Sequence, residues 1–381
     1  MRLEKKKCCG CTACVNICPQ SAISMVSDDE GFLYPQIKES ECIHCGLCIK
    51  VCGFRKRVVF EKKDVPIVIA AKNANDIDRM KSQSGGMFRV LSNYVFENGG
   101  VVYGAGFGKN WNVIHKRAVN PFECEEFSGS KYVQSILNNC YKQVENDLQF
   151  GKLVLFSGTT CQCLGLRNYL KMKGISSDRL ILVDIVCHGV PSPKIWQLYC
   201  NYMKEKHNGN IEAVNFRNKI KYGWNSHVET LMINGHSYDT EVYKDLFYGH
   251  NALRPSCYYC PYKSISHETD ITIGDFWGID VWAPEFDDNK GISLVLINSV
   301  KGRNVFEAIK EKIEYKKSNV KACLQPPLMK PFPEPNERTE FWKDVYTQKF
   351  TYVLGKYTKH YGWKYRSKKA IKSFFQIFIN K

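Results

Sequence analysis

Eight cysteines fall in two copies of one pattern: Cys8, Cys11, Cys14 and Cys18 followed by Pro19, then Cys42, Cys45, Cys48 and Cys52. No other feature restricts the fold so tightly. A Cys-x-x-Cys-x-x-Cys loop wraps three thiolates round one corner of a cubane, and the fourth must arrive from elsewhere. The spacing is that of a chain holding two 4Fe-4S clusters, in which the fourth cysteine of each run serves the other cluster. The expected ligand sets are Cys8, Cys11, Cys14 and Cys52 for one cluster and Cys42, Cys45, Cys48 and Cys18 for the other. Such a chain is expected to carry electrons.

Disulfides and zinc are the plainer readings of so many cysteines. A disulfide framework suits a small secreted domain, whereas the start of this chain (Met1, Arg2, Leu3, Glu4, Lys5) has no apolar signal segment, so a reducing cytoplasm is expected. Structural zinc uses Cys-x-x-Cys pairs set well apart rather than tight triplets with a fourth cysteine before proline. Cys9 lies outside the pattern and reads as a bystander.

At 381 residues the chain is several times longer than one ferredoxin module, so a second domain with a large core must follow. No stretch of about 18 uninterrupted apolar residues occurs, which argues against a membrane-crossing helix. The formal charge of +16 raises nucleic acid or an anionic membrane as partners. Each cluster with its thiolates offsets about −2 of it, and no basic-aromatic nucleic-acid module is evident, so nucleic acid is not expected. Much of the excess lies in 351–381, which holds Lys356, Lys359, Lys364, Arg366, Lys368, Lys369, Lys372 and Lys381 and no acid. With Phe374, Phe375, Ile377, Phe378 and Ile379 alongside, this tail suits peripheral contact with an acidic membrane, or, more plainly, a solvated helix with one apolar face.

The fold class read from the pattern is an α+β ferredoxin-like dicluster domain followed by a larger α/β domain with a β-rich insertion and a helical C-terminus. The first domain is placed at 1–57, with short strands at 22–26 and 32–37. A charged connector at 55–64 closes at Pro66, and the second domain occupies 67–381. Within it, strands are expected at 67–72, 100–107, 153–156 and 180–186, and helices at 86–97, 134–147, 162–172 and 193–207. A β-rich stretch with strands at 228–233, 271–273 and 292–297 comes next, then helices to the end.

Cys161, Cys187, Cys257 and Cys260 form a second set, each in a loop or at a strand end. Adjacent strands of an α/β sheet ending at Cys161 and Cys187 would aim both thiols into one crevice, and the Cys-x-x-Cys loop would complete a four-thiolate site. A third 4Fe-4S cluster is the leading reading, ahead of zinc and of plain thiols. Cys124, Cys140, Cys163, Cys200 and Cys323 lack such spacing and read as buried small hydrophobes.

Five segments, Gln83-Ser84-Gly85-Gly86, Gly99 to Ala105, Gly158-Thr159-Thr160-Cys161-Gln162, Asp184 to Gly189 and Asp270 to Gly278, together resemble the β-subunit family of coenzyme F420 hydrogenases and dehydrogenases, in the form with an amino-terminal dicluster module. The resemblance spans residues 1 to about 300. It implies FAD in the second domain beside an iron–sulfur cluster, and it extends to reductases supplied by ferredoxin, such as plant enzymes acting on chlorophyll derivatives. Thr160 stands where the family usually has proline.

Clusters move single electrons and most organic reductions need two, so a flavin converter is expected. Ser84, Gly85 and Gly86 at a helix start, and Ser128, Gly129 and Ser130 with Lys131, are its candidate phosphate loops, though both also read as plain helix caps and turns. Gly158, Thr159, Thr160 and Gln162 are candidates for the isoalloxazine edge. His188 is the candidate proton donor. Asp275 either orients the site or turns the chain, and turning is the reading preferred. The expectation is therefore an oxidoreductase passing electrons between a ferredoxin or other redox protein, 4Fe-4S clusters, FAD and a small-molecule substrate. The alternative is an electron-transfer subunit with no substrate site of its own, docked to a catalytic partner.

Overall fold

The apolar runs at 68–71, 180–183 and 294–297 are buried throughout, as central strands of a sheet covered on both faces must be. The computed structural model describes residues 4–54 and 65–359. The connector 55–64 and the basic tail from 360 onward lie outside the described residues.

In chain order the described strands are β1 (Ile23–Ser27), β2 (Leu33–Ile37), β3 (Ile67–Asn73), β4 (Val101–Phe107), β5 (Val113–Ala118), β6 (Val154–Thr159) and β7 (Leu180–Ile185). Then come β8 (Ile211–Asn215), β9 (Glu229–Ile233), β10 (His236–Thr240), β11 (Ile271–Asp275), β12 (Ser293–Ile297) and β13 (Ile313–Ser318). Eight of them form one sheet in the order β13-β3-β12-β11-β7-β6-β4-β5. Its middle, β11, β7, β6 and β4, is parallel. The flanking pairs are antiparallel. Helices Met87–Glu97 and Val300–Ile309 cover one face, and helices Cys140–Gln149 and Thr160–Lys173 the other.

Several expectations are corrected here. The β-rich stretch is not one insertion: β9 belongs to a separate three-stranded sheet, β10-β9-β8, whereas β11 and β12 are central strands of the main sheet. The helix expected over 134–147 begins only at Cys140, because Gln134 and Ile136 are drawn into loop bonding with the Pro191 carbonyl and the Val113 carbonyl. An edge strand, β13, follows the helix Val300–Ile309 where only helix was expected. Its charged residues, Glu314, Lys316 and Lys317, suit a sheet edge.

The amino-terminal segment packs on the body without a core of its own. Ala13, Ile17 and Val51 are buried in one cluster with Tyr141, Leu166 and Tyr169 of the covering helices. Gly165 permits this approach: a Cβ there would meet Cys11 Cβ and Sγ at 2.9 Å. Polar ties fasten the same face, including Gln134 Nε2 to the Cys9 carbonyl (3.0 Å) and Lys194 Nζ to the Asp29 carbonyl (2.9 Å).

Candidate functional site

The short helices Ala13–Ile17 and Leu47–Lys50 start from left-handed residues, Thr12 and Gly46, that turn each cysteine loop back on itself. Cys14 is pushed up by burial and by the neighbouring thiols of Cys11, Cys8, Cys52 and Cys48. The same holds for Cys48, which faces Cys45 and Cys42. Cys14 thus faces Cys8, Cys11, Cys52 and Cys48, and Cys48 faces Cys42 and Cys45, while Cys18 ends the first helix half-buried. The two loops differ in setting. Cys8 is buried under the body of the protein, whereas Cys45 is exposed, flanked by Ile43 and Ile49 at 60% and 47% exposure.

The second set also meets. Burial and the thiols of Cys187 and Cys161 push Cys257 up to about 12, and Cys260 rises through burial and the thiols of Cys161, Cys257 and Cys187. Cys161 differs from them: its thiol is lowered to about 7, chiefly by Cys9 beside it. Among the described residues the only trio of His, Cys or acidic ligand atoms lying within 4.8 Å of one another is Glu39, Cys42 and His44. The thiols are therefore set wider than round one tetrahedral ion, where zinc–sulfur bonds of about 2.3 Å bring sulfurs to about 3.8 Å. Cys9 is buried beside the thiols of Cys11 and Cys161, which with burial push it well up. Cys124, Cys140, Cys163, Cys200 and Cys323 are buried.

A cavity of about 290 Å³ opens at the carboxyl ends of β4, β6, β7 and β11, where ligands of parallel sheets bind. Of the residues singled out in the sequence, Ser84, Gly86, Ser128, Gly129, Lys131, Gly158, Thr159, Gln162, Cys187 and His188 line it. Gly85 does not: it is wedged between the Ala71 carbonyl and Ser293, where a Cβ would meet the former at 2.3 Å. Nor does Thr160, whose hydroxyl donates to Asp184 at 2.6 Å. Asp184 also accepts from His267 Nδ1 (2.6 Å) and Thr269 (2.8 Å), which fixes the loop after Cys260 to the helix that starts beside Cys161.

Some lining groups are already committed. Ser84 Oγ donates to the Ile292 carbonyl at 2.8 Å. Gln162 accepts from the Thr159 N–H at 3.0 Å, as a helix cap, and donates to Ser135 at 3.0 Å. Ser135 in turn donates to His115 Nδ1, and His115 Nε2 donates to the Ser157 carbonyl, both at 2.9 Å. Other groups remain available. Gln83 Nε2 is buried without a partner, at the wall between this cavity and a second one of about 330 Å³. Lys131 lies in the same wall, its ammonium lowered to about 8 by burial and 3.3 Å from the Ser128 and Gly129 carbonyls.

Burial, with His250 and Lys263 nearby, pushes His188 down to about 3, so at neutral pH it is an uncharged imidazole rather than a store of protons. Its Nε2 lies 2.6 Å from that of His250, and its ring stacks on Phe332 at 4.1 Å. Asp275 does more than turn the chain: it accepts from Arg217 and from Trp224 Nε1, each at 2.7 Å. The sequence reading missed Arg254 and His250, and it quoted Gln83 only as part of a family segment, with no role. Arg254 left a signal, a single cation in the apolar run Ala252-Leu253-Arg254-Pro255, three residues before Cys257.

Residues 151–322 match the family described as the C terminus of the coenzyme F420 hydrogenase/dehydrogenase beta subunit, and residues 7–55 match the 4Fe-4S dicluster domain. No curated protein matches the chain. A chain from the xenon-derivatized F420-reducing NiFe hydrogenase complex of Methanosarcina barkeri is similar at 20% identity and a TM-score of 0.47, over 67% of this chain and 83% of that one. Over residues 151–322 the chain is thus similar to the coenzyme F420 hydrogenase/dehydrogenase β-subunit family, with a 4Fe-4S dicluster match at its amino end.

Proposed function

We propose that this chain is an iron–sulfur flavoprotein oxidoreductase, exchanging electrons between a ferredoxin-type protein and a two-electron small-molecule substrate, with three 4Fe-4S clusters and FAD as its bound groups. The observation that carries this reading is continuity. Cys9 is buried beside both Cys11 and Cys161, and Cys187, from the same thiol set as Cys161, stands in the wall of the 290 Å³ cavity. When bound, the clusters supply one-electron transfer and FAD the exchange between one-electron and two-electron chemistry.

Cys161, Cys187, Cys257 and Cys260 would hold the third cluster. For FAD, the donor set is apt: the orphaned Gln83 amide and the Lys131 ammonium share one wall with the Ser128-Gly129-Ser130 turn, and all suit a pyrophosphate. The start of the helix Met87–Glu97 borders the same space. The body of the protein keeps water from the inner thiols, while the exposed loop of Cys42, Cys45 and Cys48, with Ile43 and Ile49, is suited to receive a redox partner. No helix among the described residues is long and apolar enough to cross a membrane.

Anaerobic purification followed by iron, sulfide and flavin assay tests the reading. About twelve irons and one flavin per chain are expected, and Cys257→Ser should remove about four irons and leave the rest. Iron without flavin would instead favour an electron-transfer subunit docked to a catalytic partner. Zinc in place of the last four irons would remove the third cluster from the account.

A further inference from the structure

Arg254 is a permanent cation at 0% exposure. Its Nε donates to the Cys8 carbonyl (2.7 Å), Nη1 to Gln134 Oε1 (2.8 Å), and Nη2 to the Leu33 carbonyl (2.9 Å) and Cys8 Sγ (3.7 Å). The guanidinium lies 4.3 Å from the centre of the Tyr34 ring and 5.3 Å from that of Phe32. Gly10 leaves room for it, since a Cβ there would meet Nη1 at 2.9 Å. Among the described residues it forms no ion pair with a carboxylate. A buried charge without a counter-charge is strongly destabilising, and the groups that face it are thiols: Cys8 of the loop it clasps, which it touches, then Cys9, and Cys257 of the second set without a side-chain hydrogen bond. The nearby surface cations are already matched: Lys5 with Asp28, Lys6 with Glu334, Lys7 with Glu4. Among the described residues the exposed loop has no buried arginine or lysine against its thiols. Lys38 there is paired with Glu41, and the Glu39 carboxylate lies beside Cys42.

We propose that Arg254 is the built-in counter-ion of the inner amino-terminal centre, holding its reduction potential high enough for electrons arriving at the exposed loop to run inward. The proposal rests on the reading of the amino-terminal thiols as cluster ligands. Reduction adds a negative charge, and burial alone would disfavour it at the inner site relative to the solvated outer one. A fixed positive charge touching a ligand sulfur opposes that penalty. In each transfer one electron leaves the outer centre, which is oxidised, and reduces the inner one. No bond or proton changes hands, and the ultimate reductant is the external one-electron protein donor. Arg254 is a positioning residue: it touches a ligand, not the substrate. Its backbone carbonyl also accepts from the Cys257 N–H at 2.8 Å, so the same residue ties the inner loop to the second thiol set.

The test is a potentiometric titration of the holoprotein followed by paramagnetic resonance, with an aqueous gadolinium chelate to broaden the exposed centre. In the wild type, a shielded signal should develop before or together with the broadened one; if every shielded signal develops after it, the proposal is overturned. Arg254→Gln should shift one shielded centre against the exposed one by at least tenfold in equilibrium, 59 mV for one electron, leaving the exposed midpoint in place. An unchanged shielded midpoint with full iron content, or movement of the exposed centre instead, overturns it. If the glutamine variant loses iron, Arg254→Lys is read in its place: a midpoint within 59 mV of wild type supports a charge effect, and a larger fall counts against it. A wild-type chain without acid-labile sulfide would sink the cluster reading itself, a failure distinct from these.

Discussion

Asp184→Asn tests how the site is braced. The wild-type carboxylate is fully buried, accepts from Thr160, Thr269 and His267, and forms an ion pair with the last, whose ring also donates through Nε2 to the Ser264 carbonyl at 2.9 Å. Burial pushes Asp184 up, but His267 and the hydroxyls more than offset it and hold the carboxyl below its usual range; burial likewise lowers His267, but Asp184 raises it above the ordinary imidazole value. The asparagine would leave a buried imidazolium unpaired, a change worth about 3–5 kcal/mol. Melting should therefore fall by on the order of 10 °C. The pH dependence follows from the same shifts. The His267 contribution is complete below about 6.5 and is lost as pH rises through its raised folded value; the Asp184 contribution is complete above about 3.8 and is lost as pH falls through its lowered one. Wild type should thus lose stability at both ends of this window, and the variant should show a flatter profile. Calorimetric melts between about pH 2 and 9 measure it. A variant that melts within about 2 °C of wild type with the same pH profile would refute the brace.

Burial raises Glu229 to about 8, so folding takes up a proton and the stability this group contributes is full below about 4.5 and lost towards pH 8, at about 1.4 kcal/mol per pH unit; Glu229→Gln should remove that slope in denaturant titrations and be the more stable protein at pH 8. Gly165→Val puts carbon where Cys11 Sγ and the Tyr141 hydroxyl already lie, at 2.9 and 2.8 Å from a Cβ; about 1–3 kcal/mol of overpacking and loss of about four irons are expected by melt and metal assay. Lys131→Met should weaken flavin retention about tenfold, the worth of one charge-assisted hydrogen bond, and in wild type retention should decline above pH 8 as the ammonium deprotonates. Flavin fluorescence on dilution reads both.

What the sequence made legible was local. The spacing from Cys8 to Cys52 specifies loop geometry within a few residues, and the runs at 67–72 and 180–186 are apolar enough to mark covered strands. Pairing is a different matter. Nothing in 271–275 or 293–297 says that these strands sit in the main sheet while 229–233 does not, because register and neighbour are chosen by the whole fold. Polar roles were opaque for a similar reason. Thr160 and Gln162 sit in a motif beside Cys161, yet their hydrogen-bond partners, Asp184 and Ser135, come from other elements. Arg254 is 246 positions from the residue it clasps, too far for any local pattern to pair them.

The shared packing of Ala13, Ile17 and Val51 with Leu166 and Tyr169 makes the amino-terminal piece a lid rather than a bead on a string. Severed at the connector, it would keep its iron-binding loops but lose the greasy floor beneath them, and the body would be left with a bare apolar scar. The two parts are therefore expected to melt in one transition.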